Sequence, residues 1–312
     1  MDINKYNPKG KIDKKHFISL SDYQTEDIFE ILHRARAFKF SSKAREKSDI
    51  LKNKNFAFIF AYPSTLTKLS FEMAVTSLGA SYYTFSPEDV NLSSEETLKD
   101  SIKILEKSNI DGIIATGEHD KLRNISSYAE LSVINGVSEK FYPAQVLADL
   151  LTLWEKKGTL SNLKLAYVGN PRNIASSLIL GCVKTGIKIT IACPSGYEPN
   201  AKLLEYAEKY GNVEITDNPL DAVKNADAVY TTKLFANFDN PTTEEIEKFA
   251  PYRLTDILLS KAKEDAIAMH PLPAVRGEEV DESVLNNSKC VSFEEAGNRV
   301  HVAKAILSLL IK

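Results

Sequence analysis

Residues 55–79, NFAFIFAYPSTLTKLSFEMAVTSLG, contain the pattern of a strand, a turn and a helix in direct succession. The run from Asn55 to Tyr62 is short, continuously apolar and rich in aromatic residues, which is typical of a strand buried on both faces. Small hydroxyl residues follow at the turn, and Lys68 to Leu78 predicts a helix that ends at Gly79. A strand of this kind belongs in a parallel sheet that helices cover on both faces.

The same alternation continues on both sides of this stretch. A helix is predicted over 21–40, where the apolar residues recur at helical spacing. Three further strands are predicted at 80–85, 112–115 and 132–134, and they alternate with helices at 94–107 and 120–129. Repeated strand–helix units of this kind predict a parallel sheet.

A second series of strand–helix units begins at Leu163. Its predicted strands are 163–170, 188–194, 213–217, 226–232 and 266–269, and its predicted helices are 174–185, 201–210, 219–225 and 294–311. We therefore predict the α/β class, with two doubly wound, Rossmann-like parallel-sheet domains joined by long helices. The predicted limits are 1–141 for the first domain, 142–158 for an interdomain helix, 159–290 for the second domain and 291–312 for a C-terminal helix that returns to the first domain.

The composition of the 312 residues is that of a globular protein, with 43% hydrophobic and 26% charged residues. The formal net charge is -3, so the chain lacks the excess of basic residues with which proteins bind nucleic acid or an anionic membrane. We expect neither as a partner.

The three cysteines, Cys182, Cys193 and Cys290, are odd in number and show no CxxC spacing, which predicts buried, reduced thiols rather than disulfides or a zinc site. The segment 1–17 is polar and charged, without the apolar core of a signal peptide. No apolar run approaches the roughly 20 residues that span a bilayer. We expect a cytoplasmic protein that uses neither a metal nor a cofactor.

Ligands of doubly wound sheets bind outside the carboxyl ends of the strands, so polar residues in those places are candidate ligand contacts. The turn from Pro63 to Thr67 lies between a strand and a helix. Free backbone N–H groups, the helix dipole and three hydroxyls favour an anion there. The alternative is that Ser64 or Thr65 only caps the helix.

Three further segments occur in a characteristic order: VINGVSEKFYPAQVLADLLTL from Val133, MHPLPAVRGEEV from Met269 and FEEAGNRVHVAKA from Phe293. With them the chain resembles the ornithine carbamoyltransferases and, less closely, the aspartate carbamoyltransferases, over nearly its whole length. The resemblance implies transfer of a carbamoyl group from carbamoyl phosphate to an amine, with release of phosphate. It also implies a homotrimer.

The resemblance also implies roles for individual residues. It implies catalytic roles for Thr67, Tyr142, Gln145 and Arg299, and contacts with the donor and its phosphate for Ser64, Thr65, Thr67, Thr116, His270 and Leu272. Two of these assignments have structural alternatives. Arg299 could form a salt bridge with nearby acidic residues, and His270 could be a hydrogen-bonded histidine at a strand end without a ligand.

Several donor-site positions depart from the family pattern. Leu66 replaces the first arginine of the Ser-Thr-Arg-Thr-Arg turn, Thr116 stands where the family has another arginine, and Tyr142 replaces the histidine of His-Pro-x-Gln. A hydrogen bond to a charged group contributes about 1.5–3 kcal/mol. Loss of two arginine contacts would therefore weaken the binding of a dianion roughly a hundredfold to ten-thousandfold.

The second-substrate side departs further. Asn173 matches an asparagine that the family uses for the amino acid, but Thr232 replaces an aspartate and Ala236–Asn237–Phe238 replaces Ser-Met-Gly. Arg172 and Lys233 lie beside the ends of predicted strands and could together recognise a carboxylate, although exposed basic residues near loops are usually only solvated. The stretch GNPRN lacks GxGxxG, so a nicotinamide dinucleotide is disfavoured.

Two functions remain open from the sequence. One is a divergent carbamoyltransferase that uses carbamoyl phosphate or another anionic acyl donor and an amino acid or amine other than ornithine. The other is a catalytically inactive relative that binds a small molecule or serves in assembly. The resemblance further implies that a neighbouring subunit lends a residue from the segment Asn91–Glu96, which here has no basic residue, so a shared active site is in doubt.

Overall fold

The structure is a computed structural model that describes residues 1–43, 48–62, 64–90, 95–235 and 241–311, apart from the side chains of Lys43 and Glu95. Contacts within the chain divide it into two compact units. The N-terminal unit comprises Asn7–Ala148 and Asn298–Lys312, and the C-terminal unit comprises Met1–Tyr6 and Asp149–Gly297.

The N-terminal unit contains alternating strands and helices. They are α1 (Thr25–Lys43), β1 (Asn55–Phe60), α2 (Thr65–Ser77), β2 (Ser81–Phe85), α3 (Glu95–Lys107), β3 (Gly112–Gly117), α4 (His119–Tyr128), β4 (Ser132–Ser138), the first part of α5 (Pro143–Lys157) and the last part of α12 (Ser292–Leu310). The four strands form a parallel sheet in the order β2-β1-β3-β4. The chain leaves β1 towards one edge and returns through β3 towards the other, so the carboxyl ends of β1 and β3 mark the switch point where ligands bind in such sheets.

Burial explains why the aromatic run forms a central strand. Phe56 and Phe58 are fully buried on one face of β1. Ala57 and Ile59, on the other face, pack in an apolar cluster with residues of α3, α4 and β3. Because both faces are covered, the strand is apolar throughout instead of alternating.

The C-terminal unit repeats this design. Its elements are β5 (Lys164–Val168), α6 (Asn173–Thr185), β6 (Lys188–Ala192), α7 (Ala201–Glu208), β7 (Val213–Thr216), α8 (Pro219–Val223), β8 (Ala228–Tyr230), α9 (Thr243–Phe249), α10 (Asp256–Leu259), β9 (Ile267–Met269) and α11 (Glu282–Leu285). The five strands form a parallel sheet in the order β7-β6-β5-β8-β9. The predicted fold class, two parallel-sheet α/β domains, is confirmed.

Three differences from the sequence prediction affect the candidate site or the loops. Helix α2 begins at Thr65 rather than Lys68, which places Thr67 in its first turn. Strand β4 continues to Ser138 beyond a bulge in its pairing with β3: Ala115 pairs with Asn135, Thr116 with Val137 and Gly117 with Ser138. Helices α9, α10 and α11 were not predicted, because helices of 7, 4 and 4 residues are too short to show a periodic apolar pattern.

Cys182 and Cys193 are buried free thiols, as predicted, whereas Cys290 is half-buried. Across the described ranges, no helix has both the length and the apolar character to cross a membrane. The same ranges contain no cluster of three or more histidine, cysteine or acidic side chains arranged to hold a metal ion.

Candidate functional site

The guanidinium of Arg299, on α12, contacts three neutral side chains of the N-terminal unit. Its Nη1 donates to the Tyr142 hydroxyl and to the amide oxygen of Gln145, each over 2.6 Å, and its Nη2 donates to the Thr67 hydroxyl over 2.8 Å. Thr67 and Gln145 are fully buried, and Arg299 is 3% exposed. The structure therefore brings together the four residues that the sequence assigned to catalysis.

The hydroxyl of Thr67 fixes the direction of the hydrogen bonds in this cluster. Its oxygen accepts from Ser64 Oγ over 2.8 Å and from Arg299, which uses both lone pairs. The Thr67 proton is then donated to the Tyr142 oxygen, 2.7 Å away. Because Tyr142 accepts from both Thr67 and Arg299, its own proton points toward neither of them.

Ser64 occupies the N-cap position of α2, but its side chain forms no capping hydrogen bond. The hydroxyl donates to Thr67 instead. Thr65, the first residue of the helix, is exposed. The alternative that Ser64 only caps the helix is therefore wrong, and the backbone N–H groups of the first turn point at the space beyond the helix end, where the dipole favours an anion.

Arg299 has no carboxylate within ion-pair distance among the described residues, so the salt-bridge alternative is also wrong there. The nearby Glu294 pairs with Lys156 at 2.7 Å. Within the same described part of the chain, three of the five guanidinium N–H bonds have protein acceptors, and two remain for a ligand. A buried cation with neutral partners alone is costly, so the arrangement favours a bound anion.

Thr116 lies beside this cluster but is not hydrogen bonded to it. Its hydroxyl donates to the Tyr62 carbonyl over 3.1 Å and accepts from the Tyr62 N–H over 3.0 Å, which ties the end of β3 to the residues after β1. A methyl group added at Gly136, the extra residue of the β4 bulge, would lie 2.9 Å from Thr67 Cγ2 and 3.3 Å from Thr116 Cγ2. Gly136, which sequence reasoning missed, therefore lets both threonines approach the strand.

His270 is buried at the end of β9, in the C-terminal unit, and both of its ring nitrogens have protein partners. Its Nδ1 accepts from the Leu272 N–H over 2.9 Å, so Nε2 carries the proton and donates to Glu279 over 3.1 Å. The Leu272 backbone lies in the left-handed region, with φ of 44°, just before Pro273. These bonds favour the alternative of a structural histidine. Glu279, a fully buried residue that also accepts from the Val275 N–H over 2.8 Å, was not found from the sequence.

The four predicted second-substrate residues follow two adjacent strands of the C-terminal unit. Arg172 and Asn173 come after β5, and Thr232 and Lys233 come after β8. Gly169 allows the side chain of Leu234 to lie close to the end of β5, since a methyl group at Gly169 would lie 2.8 Å from Leu234 Cδ2. Arg172 also lines a small cavity of about 90 Å³ whose walls include aromatic side chains: Tyr197, Phe235 and Phe249. The prediction at 236–238 lies outside the described residues.

Two buried carboxyl groups of the C-terminal unit also escaped sequence reasoning. Asp149 and Glu295 are fully buried, and Tyr230 donates to Asp149 Oδ2 over 3.0 Å. Burial, followed by the charge of Asp149, raises the pKa of Glu295 well above its ordinary value. Glu295 therefore keeps its proton to higher pH than an exposed glutamate does, since two adjacent buried carboxylates cannot both be ionised cheaply.

Two doubly wound parallel sheets and a buried arginine near a helix N-terminus define an α/β protein with a candidate anion site. Residues 15–155 match the model of the carbamoyl-P binding domain of aspartate/ornithine carbamoyltransferase, and residues 161–310 match the model of its Asp/Orn binding domain. The chain belongs to the aspartate/ornithine carbamoyltransferase family, which confirms the resemblance.

Individual relatives agree with this membership. The ornithine carbamoyltransferase of Methanococcus aeolicus is 40% identical over 304 residues, which cover 95% of this chain and 99% of that protein. The solved ornithine carbamoyltransferase of Pyrococcus furiosus is 37% identical with a TM-score of 0.91, over 95% of this chain and 97% of that one. The Thermus thermophilus structure is 30% identical with a TM-score of 0.86, over 96% of this chain and 100% of that one.

Proposed function

We propose that the chain transfers a carbamoyl or related acyl group from a phosphorylated donor to the amine of an amino acid or another amine, and that ordinary ornithine is not its acceptor. The observation that supports the donor side is the buried guanidinium of Arg299, which contacts only neutral acceptors among the described residues. An anion bound there would balance this charge, and membership of the family supplies the reaction type.

In the proposed reaction a neutral amine attacks the carbonyl carbon of the donor. The new carbon–nitrogen bond forms while negative charge develops on the carbonyl oxygen. The bond to the phosphate oxygen then breaks with its electron pair, phosphate departs, and the nitrogen releases one proton. This chemistry needs no metal or covalent intermediate, so catalysis rests on positioning and on stabilising charge.

Each donor-site residue has a role in this proposal. The first-turn amides of α2, with Ser64 and Thr65, bind the phosphate oxygens, while Arg299 and Tyr142 donate to the carbonyl oxygen as its charge develops. Gln145 holds Arg299 in place through its amide oxygen. Tyr142 is a weaker donor than the histidine it replaces, because a phenol does not become cationic.

The acceptor side rests on the C-terminal unit. Arg172 and Lys233 are exposed cations at adjacent strand ends and would bind a carboxylate. A carboxylate, that of Glu245, lines the same cavity as Arg172, so a cation and an anion lie together there. The residues that replace the family pattern at Thr232 and at 236–238 support an acceptor other than ornithine. The printed names of the relatives refer to ornithine as their own substrate.

A colorimetric assay for ureido products, with carbamoyl phosphate and a panel of amines and amino acids, tests the proposal. We expect turnover with at least one acceptor other than ornithine and loss of turnover in Arg299→Ala. Arg253→Ala, which removes a half-exposed arginine paired with Asp281 at 3.2 Å, is the matched control and should retain turnover. Absence of product with every acceptor at millimolar donor would overturn the catalytic proposal.

The second candidate, a non-catalytic relative that binds a small anion or serves in assembly, has one specific observation in its favour. The hydroxyl of Tyr142 lies within hydrogen-bonding distance of both Arg299 and Thr67, so the protein itself satisfies part of the donor site. Binding of an anion by calorimetry without any ureido product would support this candidate. Turnover that disappears in Arg299→Ala would exclude it.

We further propose that the chain is a cytoplasmic homotrimer, on the basis of the family resemblance. Light scattering of the purified protein tests the trimer, with a mass of three chains of 34.7 kDa as the expected result. A monomer or dimer at micromolar concentration would contradict it.

A further inference from the structure

A cavity of about 270 Å³ lies in the N-terminal unit, at the opposite end of α2 from the proposed donor site. Its walls come from α1, α12, the residues before β1 and the end of α2 at Ser77. Ser77 follows Thr67 by ten residues, which is roughly 15 Å along a helix axis. The described residues of the wall include none of those assigned to the donor site, so the cavity is a separate place.

Two cations line this cavity, Arg34 of α1 and Lys304 of α12, and no acidic side chain is among the described residues of its wall. Arg34 Nε donates to Ser308 Oγ and Lys304 Nζ donates to Ser42 Oγ, each over 3.4 Å, which is long for a hydrogen bond. Within the described part of the chain, neither cation has a carboxylate within ion-pair distance. Two partly buried cations with only distant, neutral partners favour a bound anion.

The carboxylates nearest in sequence to the wall lie elsewhere or have other partners. Glu30, one turn before Arg34 on α1, accepts from the backbone N–H groups of Lys9 and Gly10 over 2.7 and 2.8 Å. Asp49 Oδ1 would lie 3.2 Å from a methyl group added at Gly79, and Asp49 does not line the cavity. The sequence 34–50 contains six basic and two acidic residues in a chain of net charge -3, so positive charge is concentrated here.

Neutralisation of helix ends does not account for these two cations. The last carbonyl groups of α2 accept hydrogen bonds from the backbone N–H groups of residues 78–80, over 3.1 to 3.2 Å. Arg34 precedes the end of α1 at Lys43 by nine residues, and Lys304 precedes the end of α12 at Leu310 by six. Both cations therefore lie outside the last turn of their own helix, where the dipole acts.

The groups that face the cavity indicate the chemistry of its ligand. Ser42 accepts from Lys304, so its own proton is available, and Ser48 Oγ is buried without a hydrogen-bond partner among the described residues. A guanidinium, an ammonium and two hydroxyls are donors, which a phosphate can satisfy with more oxygens than a carboxylate has. Phe38, whose ring lies 5.2 Å from the Arg34 guanidinium, and Ile50 add apolar surface beside these donors.

We propose that this cavity is a second anion site, which binds inorganic phosphate or the phosphate group of a small phosphorylated molecule through Arg34, Lys304 and the serine hydroxyls. The site does not depend on the proposed transferase function. Helices α2 and α12 carry residues of both sites, so a ligand here would stabilise the helices that hold Thr67 and Arg299.

The rate at which an N-hydroxysuccinimide ester acetylates Lys304 in the full chain at pH 8, measured by mass spectrometry, tests this proposal. Burial lowers the pKa of Lys304 below its ordinary 10.5, and a bound anion would raise it again. A rise of one pKa unit reduces the reactive, unprotonated fraction about tenfold. We therefore expect saturating inorganic phosphate to slow the acetylation of Lys304 about tenfold. The exposed Lys188 of the C-terminal unit should react at an unchanged rate.

Three variants locate the effect. Arg34→Gln should abolish the protection of Lys304 by phosphate. Arg36→Gln, the matched control, removes the same charge from a residue of α1 that does not line the cavity and should keep the protection. Arg299→Gln removes the cation of the donor site and should also keep it. Both α1 arginines are half-exposed, so their comparison remains decisive if Arg299→Gln folds poorly.

Phenyl phosphate distinguishes the two sources of the phosphate group. Protection at a lower concentration of phenyl phosphate than of inorganic phosphate identifies a phosphorylated molecule whose body contacts Phe38 and Ile50. Protection at an equal or higher concentration identifies inorganic phosphate as the ligand.

Four results would overturn the second site: no slowing by either phosphate, equal slowing by potassium chloride at the same ionic strength, full protection in Arg34→Gln, or loss of protection in a folded Arg299→Gln. The ureido assay judges the transferase separately. A chain that yields no ureido product but shows the expected protection of Lys304 would keep this site and lose the proposed function.

Discussion

Arg299 and Tyr142 interact in two ways at once. Arg299 Nη1 donates to the phenol oxygen over 2.6 Å, and the guanidinium carbon lies 5.0 Å from the centre of the tyrosine ring. The hydroxyl and the ring face thus both stabilise the same buried cation. A tyrosine at this position is consequently part of the structure of the site as well as a candidate donor to a ligand.

Tyr142→Phe should lower the free energy of unfolding by about 1–3 kcal/mol, because Arg299 and Thr67 each lose a hydrogen-bond partner at a buried site. Urea denaturation measures the change. Tyr83→Phe removes a hydroxyl from a tyrosine that is 53% exposed and should leave stability within about 0.5 kcal/mol of the wild type. Equal effects of the two substitutions would show that the contacts of the Tyr142 hydroxyl contribute nothing specific.

Gly136→Ala should destabilise the N-terminal unit by about 1–3 kcal/mol, because its methyl group would lie 2.9 Å from Thr67 Cγ2 and 3.3 Å from the Ala115 carbonyl oxygen. Thr67→Ser removes Cγ2, the atom nearest to the added methyl group. The double variant should therefore recover part of the stability that Gly136→Ala loses, and a double-mutant cycle measures this recovery. Gly297→Ala is the control. Nothing lies within 4 Å of its added methyl group, and alanine favours the helix there by up to about 1 kcal/mol.

Glu279→Ala should lower the free energy of unfolding by about 2–4 kcal/mol, since the buried His270 ring and the Val275 N–H both lose their acceptor. Limited proteolysis should then cut the segment 271–279 faster than in the wild type. Glu278→Ala, at the adjacent and less buried position, should leave the cleavage rate unchanged. Unaltered cleavage in Glu279→Ala would contradict the role of this carboxylate in holding the loop.

The raised pKa of Glu295 predicts that the free energy of unfolding depends on pH. This pKa is raised above the ordinary 4.5 by burial and by Asp149, with Tyr230 and Cys290 as the other ionisable groups nearby. The folded chain therefore keeps a proton that the unfolded chain releases, so the free energy of unfolding falls as pH rises above about 4.5 until Glu295 itself ionises.

Glu295→Gln should remove this dependence and should be more stable than the wild type at alkaline pH, where the wild type has to bury an ionised carboxylate. Thermal or urea unfolding between pH 5 and pH 9 measures the difference. Glu294→Gln, at the neighbouring half-exposed position, should keep the wild-type slope of the free energy of unfolding against pH. A slope that persists unchanged in Glu295→Gln would assign the pH dependence to other groups.

The two parallel sheets could be predicted from the residue pattern, because strands such as 55–60 are apolar on both faces and alternate with helices at regular spacing. Residue identity also indicated family membership, and it predicted the departures from the family pattern at Leu66 and Tyr142. Short helices such as α10 could not be predicted, because four residues make barely one turn and show no periodicity.

Which groups are hydrogen-bond partners, and which charges are balanced, depends on how distant parts of the chain pack together. Arg299 and Thr67 are 232 residues apart in the chain, and their 2.8 Å hydrogen bond depends on how α12 and α2 pack in the N-terminal unit. In the same packing, Arg299 lies among neutral hydrogen-bond acceptors instead of acidic ones. The bulge in β4 requires glycine at position 136, because the side chains of Thr67 and Thr116 leave no room for a methyl group there. Burial and distance set the free energy of these groups, and neither can be read from residue identity alone.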